Sequence, residues 1–311
     1  MACEKPWRGY RWPDGTVRAV PGPGPIRELP FEIACAKCLS CRIEKGRQWA
    51  LRCQHEASQH KHPDGGSKNC FLTLTYDSEH LPENMSVDKT EWQLFADRLR
   101  KKMGKFRYLH VGEYGEENKR PHYHALIFGL DFSEDREWLS TENGNPYYVS
   151  PTIGRLWKKG FHIVAAVTPE TINYVCRYTQ KKILGTSSDA QSMRSKRYER
   201  VSAETGEVWM VEPEYATMSL KPGIGSAWWD KYKGDLFPDD FAIYQGKKMK
   251  TPKFYLDKHA VEDKEGHAAV KKLRAKYAAS KAADNTPERR KVKAAITQAR
   301  SSLSAPRKLD T

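Results

Sequence analysis

The chain has 311 residues, room for one large or two modest domains with a buried core, and its 53 Lys+Arg against 39 Asp+Glu give a formal charge of +14. That surplus favours a polyanion as partner, nucleic acid first. No apolar run is long enough to span a bilayer and no lipidation signal supports a basic membrane-surface protein. Met1-Ala2-Cys3-Glu4-Lys5-Pro6 lacks the apolar core of a signal peptide, so a cytoplasm is expected, where seven cysteines read as thiols or metal ligands rather than disulfides.

In chain order, residues 1–30 are rich in Pro, Gly and Arg, with Pro21-Gly22-Pro23-Gly24-Pro25 in the middle, and are expected to form an irregular arm. Cys35-Ala36-Lys37-Cys38-Leu39-Ser40-Cys41 then opens a helical pattern that passes Trp49, Cys53 and Glu56. Cys35, Cys38 and Cys41 with Cys53 could hold Zn²⁺ in a closed structural site; the alternative is that they pack as small hydrophobes at a helix start. His55, His60 and His62, followed by Asp64-Gly65-Gly66, read as a polar loop.

Phe71-Leu72-Thr73-Leu74-Thr75-Tyr76 alternates Thr with apolar residues and predicts a strand. From residue 88 to 103, Trp92, Phe95, Ala96, Leu99 and Met103 recur at helical spacing, and Lys and Arg gather in the last turn, where they complement the helix dipole. Two further strands follow. In Arg107-Tyr108-Leu109-His110-Val111-Gly112-Glu113, residues 109, 111 and 113 share a face; in Pro121-His122-Tyr123-His124-Ala125-Leu126-Ile127-Phe128, residues 122, 124, 126 and 128 do. The polar stretch 114–120 between them reads as a hairpin turn.

Matching the apolar faces of that hairpin sets Glu113 across from His122 and His124, so two imidazoles and a carboxylate converge in a set that suits a divalent ion. The plainer alternative makes the histidines surface residues at a strand end. Glu116 and Glu117 fall in the turn, and His110 points to the opposite face. Residues 131–158 are mixed, with an Asn143-Gly144-Asn145-Pro146 turn and a short helical piece near Leu156-Trp157, and residues 161–167 predict another strand in which His162 is a half-exposed strand residue.

Thr168-Pro169-Glu170 has the capping hydroxyl, first-turn Pro and early acid of a helix start, and Gly185 marks the end. At about 100° per residue, Ile172, Val175, Cys176, Thr179 and Ile183 fall on one side and Tyr174, Tyr178 and Lys181 on the other. The tyrosines either pack or are presented together beside Lys181 and Lys182, as a nucleophile pair near phosphate requires.

The ordered set of a Thr-alternating strand, His122-Tyr123-His124 and Tyr174-x3-Tyr178-x2-Lys181 resembles the HUH endonucleases that initiate rolling-circle replication, with Tyr123 where that family usually has a bulky hydrophobic residue. Residues 35–42, Gly112-Glu113-Tyr114-Gly115, residues 174–182 and Pro222-Gly223-Ile224-Gly225 are similar to the replication initiators of gokushovirus-type (Microviridae) single-stranded DNA bacteriophages. Their order and spacing carry the likeness, over roughly residues 30–240.

The resemblance implies an α+β fold: a central antiparallel β-sheet flanked by α-helices, with His122 and His124 on a central strand and the tyrosine helix beside them. It implies residues 31–240 as a nicking domain with a Cys-rich element at 31–56, after the arm at 1–30 and before a basic Lys/Ala-rich tail at 241–311, helical or partly disordered. It implies Mg²⁺ or Mn²⁺ on His122, His124 and Glu113. Tyr174 or Tyr178 would be the nucleophile, and Lys181 or Lys182 would favour phenolate, since a phenol of pKa near 10 is a poor nucleophile at neutral pH. Attack on the scissile phosphate leaves a 5′-phosphotyrosine and a free 3′-hydroxyl without nucleotide energy. The paired tyrosines permit a second cut and rejoining; which cuts first is open. Arg120, Arg177, Arg194, Lys196 and Arg197 are the candidates for DNA contact.

Farther on, Arg194-Ser195-Lys196-Arg197 forms a basic loop, and hairpin strands are expected around Thr205-Gly206. Lys221-Pro222-Gly223-Ile224-Gly225 reads as a plain turn or as backbone approaching DNA, and Trp228 and Trp229 as packing or base-stacking residues. No Gly-x4-Gly-Lys-Ser/Thr is present, so unwinding would fall to a host helicase and extension to a host DNA polymerase in the bacterial cytoplasm. Competing readings are an HUH transposase or plasmid relaxase, a non-enzymatic basic DNA-binding protein with structural zinc, and an iron or zinc enzyme acting on small molecules. The last leaves the charge and both tyrosines unused.

Overall fold

The computed structural model describes residues 3–12, 17–18, 20, 31–115, 118–178, 197–202 and 204–303, with the backbone alone for Arg11, Tyr178 and Leu303. In chain order the elements are β1 (Trp7–Arg11), β2 (Val17–Arg18), β3 (Phe31–Ile33), α1 (Leu39–Ala57), β4 (Asn69–Tyr76), α2 (Lys89–Met103), β5 (Arg107–Tyr114), β6 (Pro121–Phe128), β7 (Glu137–Glu142), β8 (Asn145–Val149), α3 (Pro151–Trp157), β9 (Gly160–Ala166) and α4 (Pro169–Tyr178). They continue with β10 (Glu199–Val201), β11 (Val208–Met210), β12 (Tyr215–Met218), α5 (Ser226–Tyr232), β13 (Phe241–Tyr244), β14 (Lys247–Lys250), α6 (Lys253–Glu262), α7 (Lys264–Ser280) and α8 (Pro287–Leu303). The class is α+β. No helix among the described residues is long and apolar enough to cross a membrane.

Contacts divide the chain into two compact units, residues 46–267 and residues 1–45 together with 268–311. In the first, seven strands form one antiparallel sheet in the order β12-β5-β6-β4-β9-β8-β7, with β4 in the middle. Both faces are covered. On one, Leu72 and Leu74 of β4 and Tyr123, Ala125 and Ile127 of β6 share a core with Trp92, Phe95 and Leu99 of α2 and Ile153 and Trp157 of α3. On the other, Phe71, Leu109, Val111, Leu126 and Phe128 are buried and α4 lies over β5 and β6. The Thr/apolar alternation of β4 is therefore one of chemistry, since Thr73 is buried as well.

Helix α2 forms where its apolar spacing predicts. Asp88 caps it by accepting the Thr90 amide at 2.7 Å, and Arg100, Lys101 and Lys102 occupy the last turn. Gly104, at φ +86, closes it by donating its amide to the Arg100 carbonyl. A cap of this kind contributes about 1 kcal/mol, and each buried Trp, Phe or Leu on the inner face about 2 kcal/mol. The β7–β8 hairpin lies inside the stretch read as mixed. Its Asn143 and Gly144 both take positive φ, 50° and 77°, which is the chemistry of a two-residue hairpin turn.

The Pro222-Gly223-Ile224-Gly225 loop is tied to the fold. Glu56 of α1 accepts the Gly225 amide at 2.6 Å and is paired with Arg107, while Arg52 donates to the Ile224 carbonyl and Arg107 to that of Pro222. Burial pushes the Glu56 carboxyl up, but hydrogen bonds from His60, Gly225 and Arg107 outweigh it and hold it below the ordinary carboxylate range. Trp229 is buried against Tyr255, and Trp228 stacks on His55 at 3.6 Å, so both tryptophans pack. In the second unit the Pro/Gly-rich arm carries short paired strands, giving a three-stranded sheet ordered β2-β1-β3.

Candidate active site

The site is set by strand register. Across β5 and β6, Glu113 pairs with His122 and Val111 with His124; across β6 and β4, Thr75 pairs with His122 and Thr73 with His124. Five polar side chains therefore share one face of three adjacent central strands, in a layer that is otherwise apolar. His124 is 0 % exposed and Glu113 2 %. Carboxylates that deep are paired or hold a metal, and His124 Nε2 lies 2.8 Å from Glu113 Oε1.

Each threonine holds a ring. Thr73 Oγ1 is 2.9 Å from His124 Nδ1, and Thr75 Oγ1 is 3.1 Å from His122 Nδ1. With each Nδ1 proton donated to its threonine, each Nε2 carries the lone pair that a cation needs. The rings lie within 15° of parallel, with centroids 6.4 Å apart, and Phe71 stacks on His124. Gly115 stands beside the His122 edge: a Cβ there would come within 2.9 Å of His122 Nε2.

Octahedral Mg²⁺ or Mn²⁺ holds neighbouring ligand atoms about 3 Å apart, so the 2.8 Å between His124 Nε2 and Glu113 Oε1 fits two adjacent positions on one ion. The glycine keeps side-chain atoms away from Nε2 of His122. Two imidazoles and one carboxylate, all oriented by the sheet, are compatible with such a cation.

Helix α4 brings the nucleophile candidate. Its start is fixed by reciprocal bonds, the Thr171 amide to Thr168 Oγ1 at 3.3 Å and the Thr168 amide to Thr171 Oγ1 at 2.9 Å, with Pro169 in the first turn. Tyr174 reaches down onto the site, edge-on to Phe71 and His124, with its hydroxyl 3.5 Å from His124 Nε2. It is 7 % exposed, so it packs and is also presented to the histidine. The helical projection, which set Tyr174 apart from the apolar stripe, missed that burial because the layer it faces is itself a closed one. Tyr178 is the last residue of α4, one turn beyond Tyr174, and its side chain lies outside the described residues, as do Lys181, Lys182, Arg194, Lys196, Glu116 and Glu117.

The remaining candidates are dispersed. His110 faces the opposite side, stacked on Trp92 at 3.9 Å and bonded to Thr217; burial holds it neutral, well below the ordinary histidine range. His162 accepts the Ser150 amide. Arg120 donates to Ser78, and Arg177 is exposed on α4. Arg197 differs from the basic-loop expectation: its guanidinium is paired with Glu214, which also accepts the Tyr198 hydroxyl, so its charge is matched inside the fold.

The cysteines regroup. Cys35, Cys38 and Cys41 gather with Cys3 into a group that could hold a metal ion, all four sulfurs within 4.8 Å of one another. Cys53 is not in it: twelve residues along α1 from Cys41 is about 18 Å of helix, and Cys53 is buried, its thiol interacting with that of Cys176. No spacing rule would have selected Cys3, which lies across the Pro/Gly-rich arm. Burial pushes the Cys35 thiol up, but hydrogen bonds from the Cys38 and Lys37 amides outweigh it and bring it down to about 7.

A family model for replication-associated proteins of the ORF2 type matches residues 69–183, the span from β4 through α4 that holds every residue of the site. Replication-associated protein VP4 of Bdellovibrio phage phiMH2K is 31 % identical over 241 residues, covering 73 % of this chain and 67 % of that protein. The chain belongs to the replication-associated proteins of Microviridae phages. Within the family, replication-associated protein ORF2 of Spiroplasma virus 4 is 30 % identical over 72 % of this chain and 66 % of its own length. ORF4 of Chlamydia phage 1 is 31 % identical over 58 % and 46 %. The match thus spans about two thirds of the length of the first two relatives. No solved structure matches the chain.

Proposed function

We propose that this replication-associated protein nicks and rejoins the origin of its phage DNA by tyrosine transesterification, starting and terminating rolling-circle replication in the manner of HUH endonucleases. The observation that carries this reading is the meeting of the Tyr174 hydroxyl with His124 Nε2, 3.5 Å apart, at the buried Glu113 carboxylate. In the first cleavage Tyr174, as phenolate, attacks the scissile phosphorus. The P–O3′ bond breaks, the 3′-oxygen leaves as a hydroxyl after gaining a proton, and the 5′-phosphate stays on the tyrosine. One phosphoester replaces another, so no nucleotide is consumed.

Glu113, His122 and His124 hold Mg²⁺ or Mn²⁺, which polarises the phosphate and offsets charge developing on it. Thr73 and Thr75 keep the imidazoles in the ligating tautomer, and Phe71 fixes the plane of His124 and the edge of Tyr174. Lys181 or Lys182 lowers the cost of the phenolate. Tyr178, one turn on, makes the second cut, and Arg120 and Arg177 contact the DNA backbone. The free 3′-hydroxyl is extended by a host polymerase behind a host helicase, in the bacterial cytoplasm.

The test is incubation with origin-containing single-stranded DNA and Mg²⁺ or Mn²⁺, followed by denaturing electrophoresis. A denaturation-resistant protein–DNA adduct is expected, and Tyr174→Phe combined with Tyr178→Phe should abolish it while DNA binding persists. An adduct that survives in the double variant contradicts the proposal.

A further inference from the structure

We infer that Cys3, Cys35, Cys38 and Cys41 bind one Zn²⁺ as a closed, tetrahedral four-thiolate site, with Cys3 as the ligand that ties the N-terminal arm to the start of α1. This site shares no residue with the proposed nicking centre and does not depend on it.

The geometry comes first. Zinc–sulfur bonds of about 2.3 Å in a tetrahedron set sulfurs about 3.8 Å apart; Cys3 Sγ and Cys38 Sγ are 3.9 Å apart, and all four sulfurs lie within 4.8 Å of one another. A disulfide needs about 2.05 Å, and all seven cysteines are free thiols. The surroundings match a thiolate site as well. The Cys35 amide donates to Cys3 Sγ at 3.2 Å and the Cys38 amide to Cys35 Sγ at 3.3 Å, bonds that favour charged sulfur. Ala36, at φ +58, supplies the turn between Cys35 and Cys38, and Cys41 stands in the first turn of α1.

Burial separates these cysteines from the others. Cys53, Cys70 and Cys176 are buried and act as small apolar groups, whereas the four clustered ones are half-exposed. Four half-exposed thiols, drawn together from segments 32 residues apart, gain little from apolar burial. A metal supplies the missing attraction and closes the loop between Cys3 and Cys35. Sulfur-only ligation selects a thiophilic ion over Mg²⁺ or Mn²⁺. Glu4, next to Cys3, accepts both the amide and the hydroxyl of Ser40 at 2.9 Å, so the same segment is fastened to α1 a second time.

The test uses the full chain, purified under reducing conditions. Elemental analysis should find about one zinc per chain, and Co²⁺ exchanged into it should give the intense visible bands of a tetrahedral cobalt–thiolate centre. Cys3→Ser should lower zinc content from about one equivalent to near zero after dialysis against a chelator that the native chain withstands, whereas Cys53→Ser should keep it. Should Cys3→Ser not fold, alkylation of the native chain read by peptide mass spectrometry serves instead: with zinc bound, Cys3, Cys35, Cys38 and Cys41 should be protected together and become reactive together on zinc removal. Iron in place of zinc, zinc retained in Cys3→Ser, zinc lost in Cys53→Ser, or Cys3 alkylated independently of the other three would overturn the assignment.

Discussion

The two groups of candidate metal ligands are assembled in opposite ways. Glu113, His122 and His124 stand on adjacent strands whose backbone ladder sets their positions before any ion arrives, and Thr73 and Thr75 from a third strand orient the rings. The four cysteines come from a chain segment, a turn and a helix start, with half-exposed side chains and few apolar contacts to hold them. In the first group the fold positions the ligands and leaves coordination positions for a phosphate; in the second the sulfurs would fill the coordination sphere and the ion would position the fold. Hard and soft ligands are sorted accordingly, oxygen and imidazole to the proposed reaction centre and sulfur to the proposed clamp.

The contrast can be broken from the reaction-centre side. Glu113→Gln keeps the shape of the buried side chain and removes its charge; cleavage should fall by roughly 10²-fold or more, about 2.7 kcal/mol of barrier, with partial recovery at high Mn²⁺. Zinc content should not change. Cleavage at the native rate, measured on labelled origin DNA, would remove Glu113 from the ligand set. Thr73→Val is a finer probe. It removes the hydroxyl on His124 Nδ1 at little change in volume and should weaken Mn²⁺ activation by roughly 10- to 100-fold, read as a shift of the Mn²⁺ midpoint for cleavage. A loss of rate that saturating Mn²⁺ does not repair would make the threonine a packing residue instead.

Much of the reaction-centre side is legible in one dimension, because a strand's side-chain period is 2 and register follows from matching apolar faces. That rule sets Glu113 opposite His122 and sends His110 to the other side, as the pairing has it. The Thr alternation in β4 marks the strand, yet the contact of its hydroxyls with the histidines emerges only once β4 is known to neighbour β6. The β7–β8 hairpin escapes because its strands are short and its outer residues mostly exposed, which leaves an Asn-Gly turn as the signal. Cys3 escapes for a different reason: a metal site gathered across a 32-residue arm has no local spacing. Cys53 falls on the right helix but too many turns along it.

The most direct measurement identifies the residue that carries the DNA. Arg177 lies between the two tyrosines, so trypsin separates residues 160–177, which contain Tyr174, from residues 178–181, which contain Tyr178. After a single cleavage of origin DNA and nuclease trimming, mass spectrometry should find the residual nucleotide on the 160–177 peptide, since Tyr174 is the phenol set against His124. A first-round adduct on any peptide other than these two, or nicked DNA with no peptide attached, would contradict transesterification at this site; a first-round adduct on residues 178–181 would reverse the order of the tyrosines.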